Sequence, residues 1–266
     1  MISDFTLPSD PTRVVRLREC TVQDAIDFAD VNSDCEEQLT SLFLDKIQDS
    51  GTYTDPRKWT GEDRRFALFW YFIHTAKDLE VPLTFDCPQC GEKHTVLYNL
   101  REMESGYQPL QGRAQREIEH DDVQYIVRPL NGYALEQLEN MQIGLNVAIE
   151  EHGKKSGPVR KMAAKIRFAR FALTLEMADA EGDDEAKRKA LEKKLLSMSD
   201  VSFGELAKKV ENALDEMTHG LLSVYESGRI SLFTSEIECQ KHKGEPDAKK
   251  IRLRLPFWAF DYIPAI

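Results

Sequence analysis

The amino-acid sequence predicts an α+β fold: an N-terminal helical unit, two β-hairpins far apart in the chain, and a large, mainly helical insertion between them. Three observations predict it. Residues 66–73 (Phe66, Leu68, Phe69, Tyr71, Phe72, Ile73) form a helix that is apolar on most sides. The period then switches to strand on both sides of Cys87-Pro88-Gln89-Cys90-Gly91. The same strand–knuckle–strand plan returns at Cys239-Gln240-Lys241-His242-Lys243-Gly244.

In chain order, Pro8 and Pro11 keep residues 1–20 extended, with a strand over Thr12–Arg18. Thr21 with Asp24 reads as a capping box that opens a helix through Ala25, Ile26 and Phe28. A second helix runs through Leu39, Phe43 and Ile47 to Ser50-Gly51, and Thr60 caps the third. These elements make up a unit over residues 1–80, and the first hairpin occupies 81–104. Arg116–Glu119 and Val123–Val127 predict a further hairpin turning at His120-Asp121-Asp122. Helices follow from Tyr133 to about Ser227: Leu135–Ile149, Arg160–Met177, a lysine-rich Glu185–Met198, and one capped by Asp200 or Ser202 that continues to Leu222. Residues 105–228 thus form the insertion. Residues 229–266 hold the second hairpin, with strands at Arg229–Phe233 and Lys250–Leu255, and an aromatic tail from Phe257.

The 266 residues carry a net charge of −11 with 30% charged and 41% hydrophobic side chains, enough for a core in a soluble protein. No apolar run reaches the roughly 18–20 residues of a membrane span, and Met1–Phe5 lacks the basic start of a secretory signal. The acidic balance disfavours nucleic acid and favours protein partners. Five cysteines, an odd number, predict free thiols in a reducing compartment.

Structural zinc takes four Cys or His ligands, commonly as two pairs spaced by two residues. Cys87, Cys90, Cys239 and His242 fit that plan, with a glycine after each pair. The roughly 150 intervening residues are no obstacle, since closing a loop costs little more as it lengthens. His94, just past Cys90, competes with His242 for the fourth place. The alternatives for the second pair are a buried Cys239 with a solvated His242. Cys20 and Cys35 read as buried thiols, His74 as a core histidine, and Glu92 and Glu238 as solvated or paired. Four ligands close the shell, and no His-Glu-x-x-His, phosphate loop, dinucleotide fingerprint or nucleophile elbow occurs, so no enzyme is expected. Phe257, Trp258, Phe260, Tyr262 and Ile263 must bury, either on the chain's own core or in another subunit.

The order of elements resembles the baseplate hub-assembly family of T-even-like, contractile-tailed bacteriophages. The resemblance rests on the Pro-Ser arm, Arg16-Leu17-Arg18 before a capped helix, an apolar helix running into Cys-Pro-x-Cys-Gly, and Val127-Arg128-Pro129-Leu130 before a helix near Tyr133. It covers the first 150 residues and, more loosely, the helical remainder. The chain departs from the family in having Cys-x-x-His near the end where the family has Cys-x-x-Cys. The resemblance implies a structural or assembly role in the virion's tail baseplate, put together in the host cytoplasm. The expected partners are other tail proteins or further copies of the chain. A nucleic-acid-binding zinc ribbon is the first alternative, because Lys241, Lys243, Lys249, Lys250, Arg252 and Arg254 make the second hairpin basic. A metal-dependent hydrolase is the second.

Overall fold

The computed structural model describes residues 2–29, 32, 34–226, 229–245 and 248–264. Its elements run β1 (Phe5–Leu7), β2 (Asp10–Val15), α1 (Val22–Ala29), α2 (Glu36–Ile47), α3 (Gly61–Thr75), β3 (Glu80–Asp86), β4 (Lys93–Asn99), β5 (Arg116–His120) and β6 (Val123–Val127). Then come α4 (Gly132–His152), α5 (Gly157–Ala172), β7 (Leu175–Met177), α6 (Asp184–Leu196), α7 (Asp200–Asp215), β8 (Ser223–Glu226), β9 (Arg229–Phe233), β10 (Ile237–Glu238), β11 (Lys250–Ile251), β12 (Arg254–Pro256) and α8 (Ala259–Tyr262). Helices and small antiparallel sheets alternate, so the chain is α+β. No helix among the described residues is long and apolar enough to cross a membrane.

Two apolar cores organise these elements. The first joins Phe5, Val15, Phe43, Phe69 and Ile73 to residues from far along the chain, including Leu221, Leu232, Phe257 and Tyr262. At its centre Phe43 meets Tyr71 edge-on, with ring centroids 5.0 Å apart. The second core lies wholly between Leu110 and Met217, and packs Tyr125 and Val127 of β6 against Leu191, Leu195, Leu206 and Val210.

The first turn of α3 ties the pieces together. Thr60 and Asp63 form a capping box, in which Thr60 Oγ1 accepts from the Asp63 amide at 3.1 Å. The fully buried Asp63 carboxylate also accepts from Ser9, from its amide at 2.8 Å and its hydroxyl at 2.5 Å, which fastens the β1–β2 turn to the helix. Thr60 Oγ1 lies 2.8 Å from Nε2 of His219, where the chain returns from the second core to the first. Arg64, 1% exposed, donates to Ser41 Oγ and the Pro56 carbonyl, and reaches both the Glu37 carbonyl and its carboxylate. Gly132 opens α4 against this turn. A Cβ there would sit 2.3 Å from Arg64 Nη1 and 2.7 Å from Arg57 Cα, so only glycine fits.

Several elements differ from the sequence expectation. The helix expected to reach Met177 stops at Ala172, and β7 instead pairs with β6, Leu175 opposite Val127 and Met177 opposite Tyr125. An unpaired edge beside two fully buried β6 side chains would leave backbone groups without partners, and β7 supplies them. The last long helix ends at Asp215, before Gly220 at φ +78°. The strand expected over Lys250–Leu255 divides: β11 pairs with β10, and β12 crosses to β9. The hairpin turning at Asp121 and Asp122 forms as expected, both residues taking the positive φ such tight turns require. Cys20 and Cys35 are half-buried, not buried. His74 is also half-buried, with Nδ1 2.8 Å from the Trp70 carbonyl. Of the two placements open for the tail, the structure shows the first for Phe257, Tyr262 and Ile263: Tyr262 stacks on Phe257 and packs edge-on against Phe72 of α3. Trp258 does not bury and stays 42% exposed, with Arg229 over its ring. Ala265 and Ile266, at the end of that tail, and Ser227, at the edge of the expected helical region, lie outside the described residues.

The carboxylate of Glu139 on α4 accepts from the Glu37 and Gln38 amides at 2.6 and 3.1 Å, and so caps α2 from another element. Burial pushes its pKa from 4.5 up to about 7; the two amides oppose the shift and the Glu37 and Glu36 charges add to it. A carboxyl held above its unfolded value gives stability that is complete below pH 4.5 and is lost as the pH rises towards 7. Urea titrations should therefore show stability falling across that window in the wild type. In Glu139→Gln, which keeps an acceptor and drops the charge, the fall should be shallower.

Candidate metal centre

The centre is assembled from the two hairpins. β3 and β4 pair in register from Glu80 opposite Asn99 to Asp86 opposite Lys93, and between them Cys87 and Cys90 occupy a tight knuckle. The Cys87 amide donates to the Glu92 carbonyl at 2.8 Å and the Gly91 amide to the Cys87 carbonyl at 2.9 Å. Gly91 has φ +73°, a conformation that glycine adopts without a Cβ clash. Alternation along β4 turns His94, Val96 and Tyr98 inward, and His94 is buried opposite Phe85. In the second hairpin β10 leads into Cys239, which precedes a 3-10 turn over Gln240–His242.

The knuckles bring Cys87, Cys90, Cys239 and His94 together, with one ligand atom from each and all of these within 4.8 Å of one another. His94 Nε2 lies 3.1 Å from Cys90 Sγ and 3.9 Å from Cys239 Sγ. A tetrahedral ion with bonds of about 2.3 Å to sulfur and about 2.0 Å to nitrogen spaces its ligand atoms by roughly 3.5–3.8 Å, so the donor set fits such an ion. The fourth member of the cluster is therefore His94. His242 is not part of the cluster: its side chain is 37% exposed, and its Nδ1 lies 2.7 Å from a Glu245 carboxylate oxygen in the same turn. That contact, three residues along the chain, holds the imidazole at the surface.

The surroundings favour this arrangement. Gln240 Nε2 donates to the Thr95 carbonyl at 3.2 Å, which fixes the amide so that its Oε1 faces His94 Nδ1, also at 3.2 Å. Nδ1 then carries the proton and the Nε2 lone pair faces the thiols. The Cys90 amide, first among several donors, pulls the Cys87 thiol down to about 6, while burial opposes it. Cys90 shifts upward: the Glu92 amide lowers it, but burial and the two neighbouring thiols outweigh that contact. Three sulfurs share one site, so ionising one thiol makes the next harder to ionise.

Contacts between the hairpins hold the two knuckles in place. Lys249 donates its amide to Gln89 Oε1 at 2.8 Å, Ser235 donates its amide to the Tyr98 hydroxyl at 2.8 Å, and Lys241 pairs with Glu92. Glu238 pairs with Lys250, so neither glutamate flanking a knuckle faces a metal ligand without a cation of its own. Comparison of the chain with protein families, with curated proteins and with solved structures finds no match. Gln240 is the functional residue the sequence reading missed; it sits between the two expected ligands of its knuckle and serves neither. Gln240→Ala should weaken metal binding by about 10- to 100-fold, measured by chelator competition, with the fold intact by circular dichroism.

Proposed function

We propose that the chain is a structural or assembly component of a contractile-tail baseplate, in its hub region, held in shape by a structural zinc ion in a split ribbon. The observation that carries the reading is the cluster of three thiols and one imidazole drawn from hairpins about 150 residues apart. Zinc bound by four such ligands supplies folding energy and has no open position for a substrate. Cys87, Cys90 and His94 hold one end of the intervening chain and Cys239 the other, while Gln240 orients His94. The clasp ties together the two hairpins that bracket the second core along the chain. The resemblance carried by the Pro-Ser arm, the Cys-Pro-x-Cys-Gly hairpin and the Val127–Leu130 strand end supports the baseplate assignment.

The rival reading, a nucleic-acid-binding ribbon, loses support from the ion pairs. Lys241 pairs with Glu92, Lys250 with Glu236 and Glu238, Arg252 with Glu236, and Arg254 with Glu226. Cations already matched by carboxylates release few counterions from a phosphate backbone.

Metal analysis should give one zinc per wild-type chain and per His242→Ala chain, and well below one for His94→Ala and Cys239→Ser. Full zinc in His94→Ala would return the fourth place to another residue. The assembly role is tested by tagging the chain in cells that also express its neighbouring genes and identifying what copurifies at moderate salt. Tail proteins are the expected result; copurifying nucleic acid without them would overturn the reading.

A further inference from the structure

α4 and α5 pack on each other as an antiparallel pair, and their shared end is basic in an acidic protein. Residues 153–175 contain seven Lys and Arg and no Asp or Glu; the whole chain is at −11, so the remainder is at −18. Arg170 lies over the Tyr225 ring, 4.2 Å from its centroid. Lys154, Lys155, Arg160, Lys161, Lys165 and Arg167 are all exposed, and among the described residues none forms an ion pair. The apolar side of α5, with Val159, Met162 and Ile166, is turned away from solvent, so Arg160, Lys161, Lys165 and Arg167 share the outer face with only Ala164 among them. The flanking carboxylates are Glu150 and Glu151 before the stretch and Glu176 after it; Glu151 lies 3.7 Å from His152 and Glu176 pairs with Arg128.

The opposite pattern occupies α1 and α2. Residues 19–45 contain eight Asp and Glu and no Lys or Arg. α1 exposes Val22 (73%), Ile26 (51%) and Asp27, and α2 exposes Leu42 (49%) and Asp45. Lys46 bridges Asp24 and Asp27, at 3.9 and 3.7 Å, and so ties α1 to α2. Val22, Ile26 and Leu42 stand exposed on two helices rich in carboxylates, costly to leave wet and charged to receive cations. Within one molecule, no ion pair among the described residues joins this surface to α5. Among the described residues, Arg18, Lys46 and Arg64 pair with Asp24, Asp27 and Glu37, three cations against the eight carboxylates of residues 19–45, so a net negative charge remains.

We propose that the basic face of α5 in one copy of the chain docks on the acidic, apolar face of α1 and α2 in a second copy. Donor and acceptor are different surfaces, so the contact is head-to-tail and repeats into a ring or an open string. The inference rests on the reading that the protein works through protein contacts, and it names the partner as a second copy. It does not involve the four metal ligands.

Sedimentation of the full chain at about 20 mM and about 500 mM salt tests it, because exposed charges are screened over only a few ångströms at high salt. The wild type should associate at low salt and dissociate at high salt. Lys161→Gln with Lys165→Gln removes the donor, and Asp27→Asn with Asp45→Asn removes the acceptor. Each double variant alone should associate about tenfold more weakly or not at all. An equimolar mixture of the two should stop at a one-to-one pair, since one intact donor and one intact acceptor remain. A monomeric wild type at low salt overturns the proposal, as does association that survives loss of the α5 cations. A mobility shift of duplex DNA by a wild-type chain that does not self-associate would assign the basic face to nucleic acid instead. Zinc content measured on the same samples separates these outcomes from a failed clasp.

Discussion

Ionic groups buried side by side in the first turn of α3 set the terms for everything around them. Taking a carboxylate or a guanidinium out of water costs several kcal/mol unless partners replace the lost hydration on every side. Asp63 and Arg64 are consecutive and almost wholly buried, and they point to different partners. Asp63 gathers Ser9, Thr60 and, 4.0 Å away, the His219 ring. Arg64 gathers α2 and the Pro56 turn. Between them they fix the N-terminal arm, the second helix and the point where the chain re-enters the first core. Burial raises the Asp63 pKa, while the contacts from Ser9, His219 and Thr60 pull it back down. Gly132 is a consequence of the same crowding, because α4 must start where the Arg64 side chain already lies.

The metal centre depends on that frame. Among the described residues its two knuckles share no sheet: β3 pairs with β4, and β10 with β11. What brings Cys239 to Cys87 is the first core, which holds Tyr98 of the first hairpin and Leu232 of β9 in one cluster, and the hydrogen bonds across the seam at Gln89, Tyr98 and Gln240. The ion would lock a juxtaposition that packing has already made.

Much of this was legible in the sequence for identifiable reasons. Thr60 before an apolar helix, the Asp121-Asp122 turn and the Cys-x-x-Cys-Gly knuckle are local signals, each with a mechanism contained in a few residues. The misplaced elements were decided at a distance. Leu175–Met177 continues a helical pattern, and only the vacant edge of β6 makes it a strand. Lys250–Leu255 alternates without a break, yet serves two different sheets. The fourth ligand shows the same contrast. Spacing pointed to His242, while the inward phase of β4, shared by His94, Val96 and Tyr98, was the signal that could have chosen correctly. Gln240 could not have been found without knowing which imidazole it faces.

The division of the two cores along the chain has a consequence for synthesis. Every residue of the second core lies between Leu110 and Met217, so that core can close as soon as this stretch has left the ribosome. The first core cannot, since Leu232, Phe257, Tyr262 and Ile263 belong to it. Until they emerge the first core lacks part of its cover, and Cys87 and Cys90 are two thiols of an unfinished site. The earlier-made half of the molecule is thus the later to be completed, since its last core residues are made after the second core is whole.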